Sequence, residues 1–177
     1  GITGITPMDI EYAKELGYTI KLLAIAKADG GPVEARVHPT LVPTEHLLST
    51  VAGPFNAIFV KGDAVGSTLF YGAGAGMMPT GSAVVSDLVD LCRNIRLGAV
   101  RRVPLLSFQR EHLRDAEIKP IQDISCTYYL RFTVVDKPGV LSRISGILGD
   151  LDISIQSVIQ KGIKSEKAVF IYMLTHE

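Results

Sequence analysis

The sequence predicts an α+β chain in two parts: a mixed or antiparallel open sheet with helices, followed by a shorter unit ordered strand, helix, strand, strand. Three observations lead there. Short runs of β-favouring residues, some alternating and some continuously apolar, recur along the chain. Two segments carry apolar residues at helical spacing, one after a glycine-rich run and one after Asp136-Lys137-Pro138-Gly139. Between the two parts, residues 97–126 lack clear periodicity, which suits an interdomain linker better than a loop inside one compact domain.

Composition sets the frame. With 177 residues, 47% hydrophobic and 20% charged, the chain can bury a sizeable core as one large or two small domains. Eighteen Lys and Arg balance eighteen Asp and Glu, so no global field draws in nucleic acid or an anionic membrane. Cys92 and Cys126 lie in no metal-ligand spacing, and a reducing cytoplasm is expected. No apolar run approaches the roughly 18 residues of a spanning helix. The opening Gly1-Ile2-Thr3-Gly4-Ile5-Thr6, without a Met, reads as the tail of a connection, so further polypeptide is expected upstream.

Thr6 is a candidate N-cap and Pro7 suits the first helical position, so a short helix is expected over residues 7–16, with Ile10, Tyr12, Ala13 and Leu16 as its apolar stripe and Gly17 as its stop. A buried strand over 18–28 follows, ended by Asp29-Gly30-Gly31-Pro32. Strict alternation over 33–38 predicts a half-exposed antiparallel strand with Val33, Ala35 and Val37 on one side. After a helical turn near 47–51, residues 55–61 and 67–71 read as two strands joined through Gly62-Asp63-Ala64-Val65-Gly66.

A glycine-rich loop comes next, Gly72-Ala73-Gly74-Ala75-Gly76, leading into a helix expected over 79–95 with Val84, Val85, Leu88, Leu91, Cys92 and Ile95 along one side. Glycines before a helix can bring backbone amides to an anion. The spacing is G-x-G-x-G rather than G-x-G-x-x-G, Pro79 removes an amide, and no strand-ending acid follows, so tight strand-to-helix packing explains the loop equally well. Arg96, Arg101, Arg102, Arg110 and Arg114 lack interleaved aromatics and read as a solvated linker surface.

Residues 127–135 alternate as a strand, with Tyr129, Arg131, Thr133 and Val135 on one face and Tyr128, Leu130, Phe132 and Val134 on the other. Asp136-Lys137-Pro138-Gly139 breaks it, and Val140, Leu141, Ile144, Ile147, Leu148 and Leu151 mark a helix. Strands over 153–161 and 168–175, with a polar loop at 162–167, complete a βαββ order, the first two-thirds of a ferredoxin-like unit.

The run Val134-Val135-Asp136-Lys137-Pro138-Gly139-Val140-Leu141 resembles the opening of an ACT domain, a truncated one in this chain. Such domains sense amino acids: helix N-terminal amides meet a ligand carboxylate, and an acidic residue meets its ammonium group. By that resemblance the effector-binding residues are Asp136, Gly139, Val140 and Leu141, joined by Ile153, Ser154 and Ile155 from a facing strand across a dimer interface.

Upstream, Gly1-Ile2-Thr3-x-Ile5, Asp9-Ile10 and Ala13, Leu16-Gly17-Tyr18-x-Ile20-Lys21-Leu22-Leu23, residues 33–39 and Gly72-x-Gly74-Ala75-Gly76-x-x-Pro79-Thr80 resemble the later catalytic domain of the homoserine dehydrogenase family. The resemblance implies domains at 1–96 (catalytic or substrate part), 97–126 (linker) and 127–177 (incomplete ACT domain). It further implies an NADP- or NAD-dependent oxidoreductase interconverting homoserine and aspartate semialdehyde in threonine, methionine and isoleucine biosynthesis, with threonine as effector. It implies a cytoplasmic homodimer or higher homo-oligomer, with no nucleic-acid or membrane partner.

Gly72, Gly74, Ala75 and Gly76 would approach the nicotinamide end of a cofactor held mainly by a preceding domain, and the catalytic Asp and Lys would also precede Gly1. The chain alone is therefore expected to be inactive. It carries no assigned catalytic or metal-binding residue; Lys21, Lys27, Lys61, His38 and His46 read as surface or interface groups. The alternative is a stand-alone amino-acid-binding regulatory or dimerisation module.

Overall fold

A computed structural model describes residues 2–99, 102, 107–161 and 168–177. The first helix, α1 (Pro7–Glu15), begins where its cap is made twice over. Thr6 Oγ1 accepts from the Asp9 amide at 3.4 Å, and the Thr6 amide donates to Asp9 Oδ2 at 2.7 Å, a reciprocal capping box with Pro7 in the first turn. The buried face is Asp9, Tyr12 and Ala13, an i, i+3, i+4 set. Ile10 lies off that face and is exposed, contrary to its place on the expected stripe.

Strands β1 (Tyr18–Lys27) and β2 (Glu34–Pro43) form a two-stranded sheet. The alternation in β2 is real, but its sides are reversed from the sequence expectation: Glu34 is buried and Val37 is 69% exposed. An ion pair explains the reversal. Arg36 Nη1 lies 2.9 Å from Glu34 Oε1, with both side chains nearly covered, and Lys27 Nζ is 3.7 Å from the same oxygen. Period two then sends Val37 to the opposite side from Glu34 and Arg36.

Strands β3 (Phe55–Gly62) and β4 (Gly66–Ala73) pair antiparallel from Phe55↔Ala73 to Gly62↔Gly66, so the expected hairpin loop tightens to residues 63–65. Helix α2 (Met77–Arg96) starts before Pro79, because Gly76, at φ 126°, takes up the non-helical cap backbone. Its apolar residues Val84, Val85, Leu88, Leu91 and Ile95 are all exposed. Beyond it, the described part of the expected linker holds 3₁₀ turns at Arg110–His112 and Ile121–Asp123. Arg102 pairs with Asp90 at 3.2 Å. Arg101 lies outside the described residues.

Two compact units result. One comprises Gly1–Leu16, Leu22–Leu41 and Ile118–Glu177; the other comprises Gly17–Lys21 and Val42–Glu117. In the second, the Thr44 amide donates to Gly17 O at 2.9 Å, and His46 meets the edge of Phe59 at 5.0 Å. In the first, Val33 bridges Ile118 in parallel and the Lys119 amide donates to Val33 O at 2.9 Å.

The first unit also contains β5 (Tyr129–Val135), α3 (Val140–Asp150), β6 (Ile155–Lys161) and β7 (Ala168–Thr175). The sheet order is β5-β7-β6, antiparallel throughout, so the last strand in sequence is central. The expected polar loop at 162–167 lies outside the described residues. One face packs on α3, with Leu148, Ile171 and Met173 at the centre and Leu130, Phe132, Val134, Val140, Ile144 and Ile155 around them. The other face holds Tyr129, Arg131 and Tyr172, and α1 lies against it: the rings of Tyr12 and Tyr172 meet at 3.8 Å between centroids. The fold is thus α+β, with the βαββ order in its C-terminal part.

Tyr172 is 1% exposed and its hydroxyl finds no hydrogen-bond partner among the described residues. A buried orphan polar atom costs about 1–3 kcal/mol. Tyr172→Phe removes that atom and keeps the ring, so it is expected to raise stability by roughly 1 kcal/mol. Denaturant unfolding of the two proteins checks the sign.

Candidate functional site

Strand β5 ends at Val135, and the chain turns through Asp136-Lys137-Pro138-Gly139 into α3. Gly139 sits at φ 88° as the N-cap, a backbone that L side chains rarely adopt, and it offers no side chain to cap the helix. The Val140 amide reaches Lys137 O at 3.4 Å and the Arg143 amide reaches Gly139 O at 3.0 Å. The amides of Leu141 and Ser142 between them have no acceptor within the helix. A helix N-terminus of this kind carries partial positive charge and favours an anion.

The turn borders a cavity of about 380 Å³ lined by Val134, Val135, Asp136, Lys137, Pro138, Gly139, Val140, Leu141, Gln160 and Ile171. Asp136, Gly139, Val140 and Leu141 therefore come together. Gln160 joins them from β6, and nothing in the sequence pointed to it, because its approach depends on how β6 pairs with β7. Chemically, the cavity offers helix amides and the Lys137 cation for a carboxylate, the Asp136 carboxylate for an ammonium group, and one amide side chain.

Ile153 and Ser154 do not meet that group within one chain. They line a second cavity of about 440 Å³, with Cys126, Tyr128, Thr175 and His176 among its other walls. There the Tyr128 amide donates to Thr175 Oγ1 at 2.9 Å. The Tyr128 hydroxyl is pushed above its ordinary range, first by its hydrogen bond with Cys126. Ile155 packs against the core cluster of α3 and β7.

A polar cluster that the sequence did not flag as a site joins α1 to the sheet. The Asp9 carboxylate is 1% exposed. Its Oδ1 accepts from the Tyr129 hydroxyl at 2.7 Å; its Oδ2 accepts from the Thr6 amide at 2.7 Å, from Thr6 Oγ1 at 2.6 Å, and from Arg131 Nη1. Arg131 Nη1 also donates to Thr6 Oγ1 at 3.0 Å. Burial alone would raise the Asp9 pKa, but the bonds from Thr6 and Tyr129 and the charge of Arg131 outweigh it, holding the carboxyl below the ordinary 3.8. Burial, then the bond to Asp9, pushes Tyr129 far up, so its proton stays on the phenol.

In the glycine-rich loop, Gly72 and Ala73 end β4, Gly74 and Ala75 are loop, and Gly76 caps α2. A Cβ at Gly74 would stand 2.3 Å from Asn56 Nδ2, so a side chain there would have to push the Asn56 side chain aside. A Cβ at Gly72 would meet nothing within 4 Å, so no internal contact explains its missing side chain. Gly72 is the position in this loop that leaves room for an outside group to come close. Of the amino groups weighed from sequence, Lys21 donates to Val51 O and Lys27 pairs with Glu34. His46 Nδ1 accepts from the Leu48 amide at 3.1 Å, and His38 lies by Pro39 O and Thr40. No three His, Cys, Asp or Glu cluster as metal ligands among the described residues.

Fold and turn together define an α+β chain carrying an ACT-type βαββ module, and the ACT domain model matches residues 128–177. The homoserine dehydrogenase model matches residues 1–89. The chain belongs to the homoserine dehydrogenase family. It is 46% identical over 177 residues to homoserine dehydrogenase of Pseudomonas aeruginosa, covering 99% of this chain and 41% of that protein. Against the enzyme of Neisseria gonorrhoeae it is 45% identical over 176 residues, covering 99% and 40%. The crystal structure of a homoserine dehydrogenase from Thiobacillus denitrificans superposes with a TM-score of 0.86 at 49% identity, covering 99% of this chain and 39% of that one. The chain spans about two fifths of the length of the relatives it matches.

Two outcomes are expected. Gly72→Val leaves the melting temperature close to that of the parent chain, whereas Gly74→Val lowers stability by about 1–3 kcal/mol through overpacking on Asn56; thermal melts of both compare them directly. Asp9 has a lowered folded pKa, so its contribution is complete above the unfolded value of 3.8 and is lost as pH falls from there through the folded value. The stability difference between the chain and Asp9→Asn should therefore be constant near neutrality and shrink below pH 3.8; a difference independent of pH contradicts this assignment.

Proposed function

We propose that this chain is the later portion of a homoserine dehydrogenase, an enzyme interconverting homoserine and aspartate semialdehyde with NAD or NADP, and that its ACT module binds threonine as a feedback effector. Family membership supports the first statement. The observation that carries the second is the cavity at the Asp136–Gly139 turn, which is lined by both a helix N-terminus and an acidic residue, Asp136. The boundaries proposed are a catalytic or substrate portion at 1–96, a linker at 97–126 and the regulatory module at 127–177.

In this reading a nicotinamide supplies the hydride acceptor or donor. The backbone of Gly72, Gly74, Ala75 and Gly76 would face it, and the open space beside Gly72 fits a close approach. The chain's own residues in that loop exclude side-chain bulk and move no proton. In the regulatory module, the Leu141 and Ser142 amides receive the effector carboxylate, Asp136 its ammonium group, and Gln160 its side chain. Ile153 and Ser154 would reach that ligand from a neighbouring copy in a homo-oligomer. Among the described residues no helix is long and apolar enough to cross a membrane, and a cytoplasmic biosynthetic role is part of this proposal.

Titration calorimetry of the chain with L-threonine is expected to show saturable heat. Asp136→Ala should weaken binding by roughly tenfold or more, the size expected for losing a charge-assisted bond of about 1.5–3 kcal/mol. The chain by itself should not reduce NAD or NADP with homoserine. Binding unchanged by Asp136→Ala would remove the turn from the site.

A further inference from the structure

The effector cavity and helix α1 lie on opposite faces of the same three-stranded sheet, and both are built from neighbouring residues of the same strands. On β7, Ile171 lines the cavity and belongs to the α3 core, while Tyr172, next in sequence, crosses the sheet and stacks on Tyr12 of α1. On β5, Val134 and Val135 line the cavity, while Tyr129 and Arg131 on the α1 side hold the buried Asp9 carboxylate. On β7 the two sides are served by adjacent residues, Ile171 and Tyr172, and on β5 by residues of one seven-residue strand. Close-packed interiors have little compressibility, so a displacement on one face is carried to the other.

The α1 side also holds an unsatisfied polar group. The Tyr172 hydroxyl is buried without a partner, in the electrostatic reach of Asp9, Glu11 and Arg131. That hydroxyl is the one polar atom at this contact that the present seat of the helix leaves unsatisfied among the described residues.

We propose that α1 is the relay of the regulatory module: occupation of the cavity at the Asp136–Gly139 turn changes the seating of α1 through the Tyr129–Arg131–Asp9 cluster and the Tyr172–Tyr12 stack. Asp9 is a positioning residue in this scheme, acting through Tyr129 and Arg131. The relay rests on the reading that the turn binds an amino acid. The coupling itself is reciprocal, so it is open to test from either end, with or without a ligand.

Hydrogen exchange read by mass spectrometry on the 177-residue chain tests it. Without ligand, Asp9→Asn should speed exchange not only in α1 but also at the amides of the turn and first turn of α3 across the sheet, by about fivefold or more. Tyr129→Phe, which keeps the ring and guards against misfolding of the first variant, should alter the same distant segment. Lys14→Ala, on the exposed side of α1, should leave it unchanged. A purely structural role for Asp9 speeds exchange in α1 alone, and an unchanged turn in both variants overturns the relay.

With L-threonine added, binding heat accompanied by slowed exchange over residues 10–16 supports the relay. Heat without any change in α1 overturns it and leaves the binding site standing. No heat overturns threonine sensing by itself, and the ligand-free comparison then upholds or overturns the coupling.

Discussion

A single carboxylate ties the opening helix of the first unit to a sheet more than a hundred residues further along the chain. Asp9 sits in the opening helix, yet three of its partners' bonds come from Tyr129 and Arg131 on the far side of the chain, which reach Asp9 and its cap residue Thr6. Removing an ionised carboxylate from water costs several kcal/mol unless its lone pairs are met. Here both oxygens are engaged, Oδ1 by a phenol and Oδ2 by an amide, a hydroxyl and a guanidinium. The same oxygen atom closes the capping box of α1 and accepts from Arg131, so starting the helix and docking it on the sheet are one event rather than two. Tyr12 and Ala13 then bury on the face that Asp9 has fixed.

The docking gives the βαββ unit a covered second face. A sheet with one helix on one side leaves its other side to water, where Tyr129, Arg131 and Tyr172 would form an open aromatic and cationic surface. Helix α1 closes it in this chain. A helix from the part that matches the homoserine dehydrogenase model thus packs directly on the sheet of the part that matches the ACT domain model. Tyr129 and Arg131 of β5 and Tyr172 of β7 are thus in direct contact with residues that precede β1.

Much of this order can be read from the sequence, and the failures have common physical causes. Thr6-Pro7, the turn at 136–139 and the hairpin at 62–66 are local signals, resting on caps and φ preferences within a few residues, and the structure places elements beside each of them. Faces are another matter. The β2 alternation was legible, but Glu34 and Arg36 take the covered side because they pair with each other, a contact that hydropathy reads as polar and therefore outward. The buried role of Asp9 was not legible at all, since its partners Tyr129 and Arg131 lie more than a hundred positions away. In the candidate site, the turn residues were legible as a motif. Gln160 was not, because it arrives through strand pairing, and Ile153 and Ser154 fall at a different cavity because β6 begins beyond them.

The glycine loop shows how far a motif can be divided by geometry. Three glycines look alike in sequence, but their surroundings differ. Gly76 serves a backbone that other residues avoid, and Gly74 makes room for Asn56 on the paired strand. Only Gly72 has neither reason, since its own strand position and free space would accept a side chain. If folding were the sole constraint, a β-branched residue would serve better there than glycine, which weakens a strand. Packing among the described residues therefore accounts for glycine at 74 and 76 but gives no reason for it at Gly72.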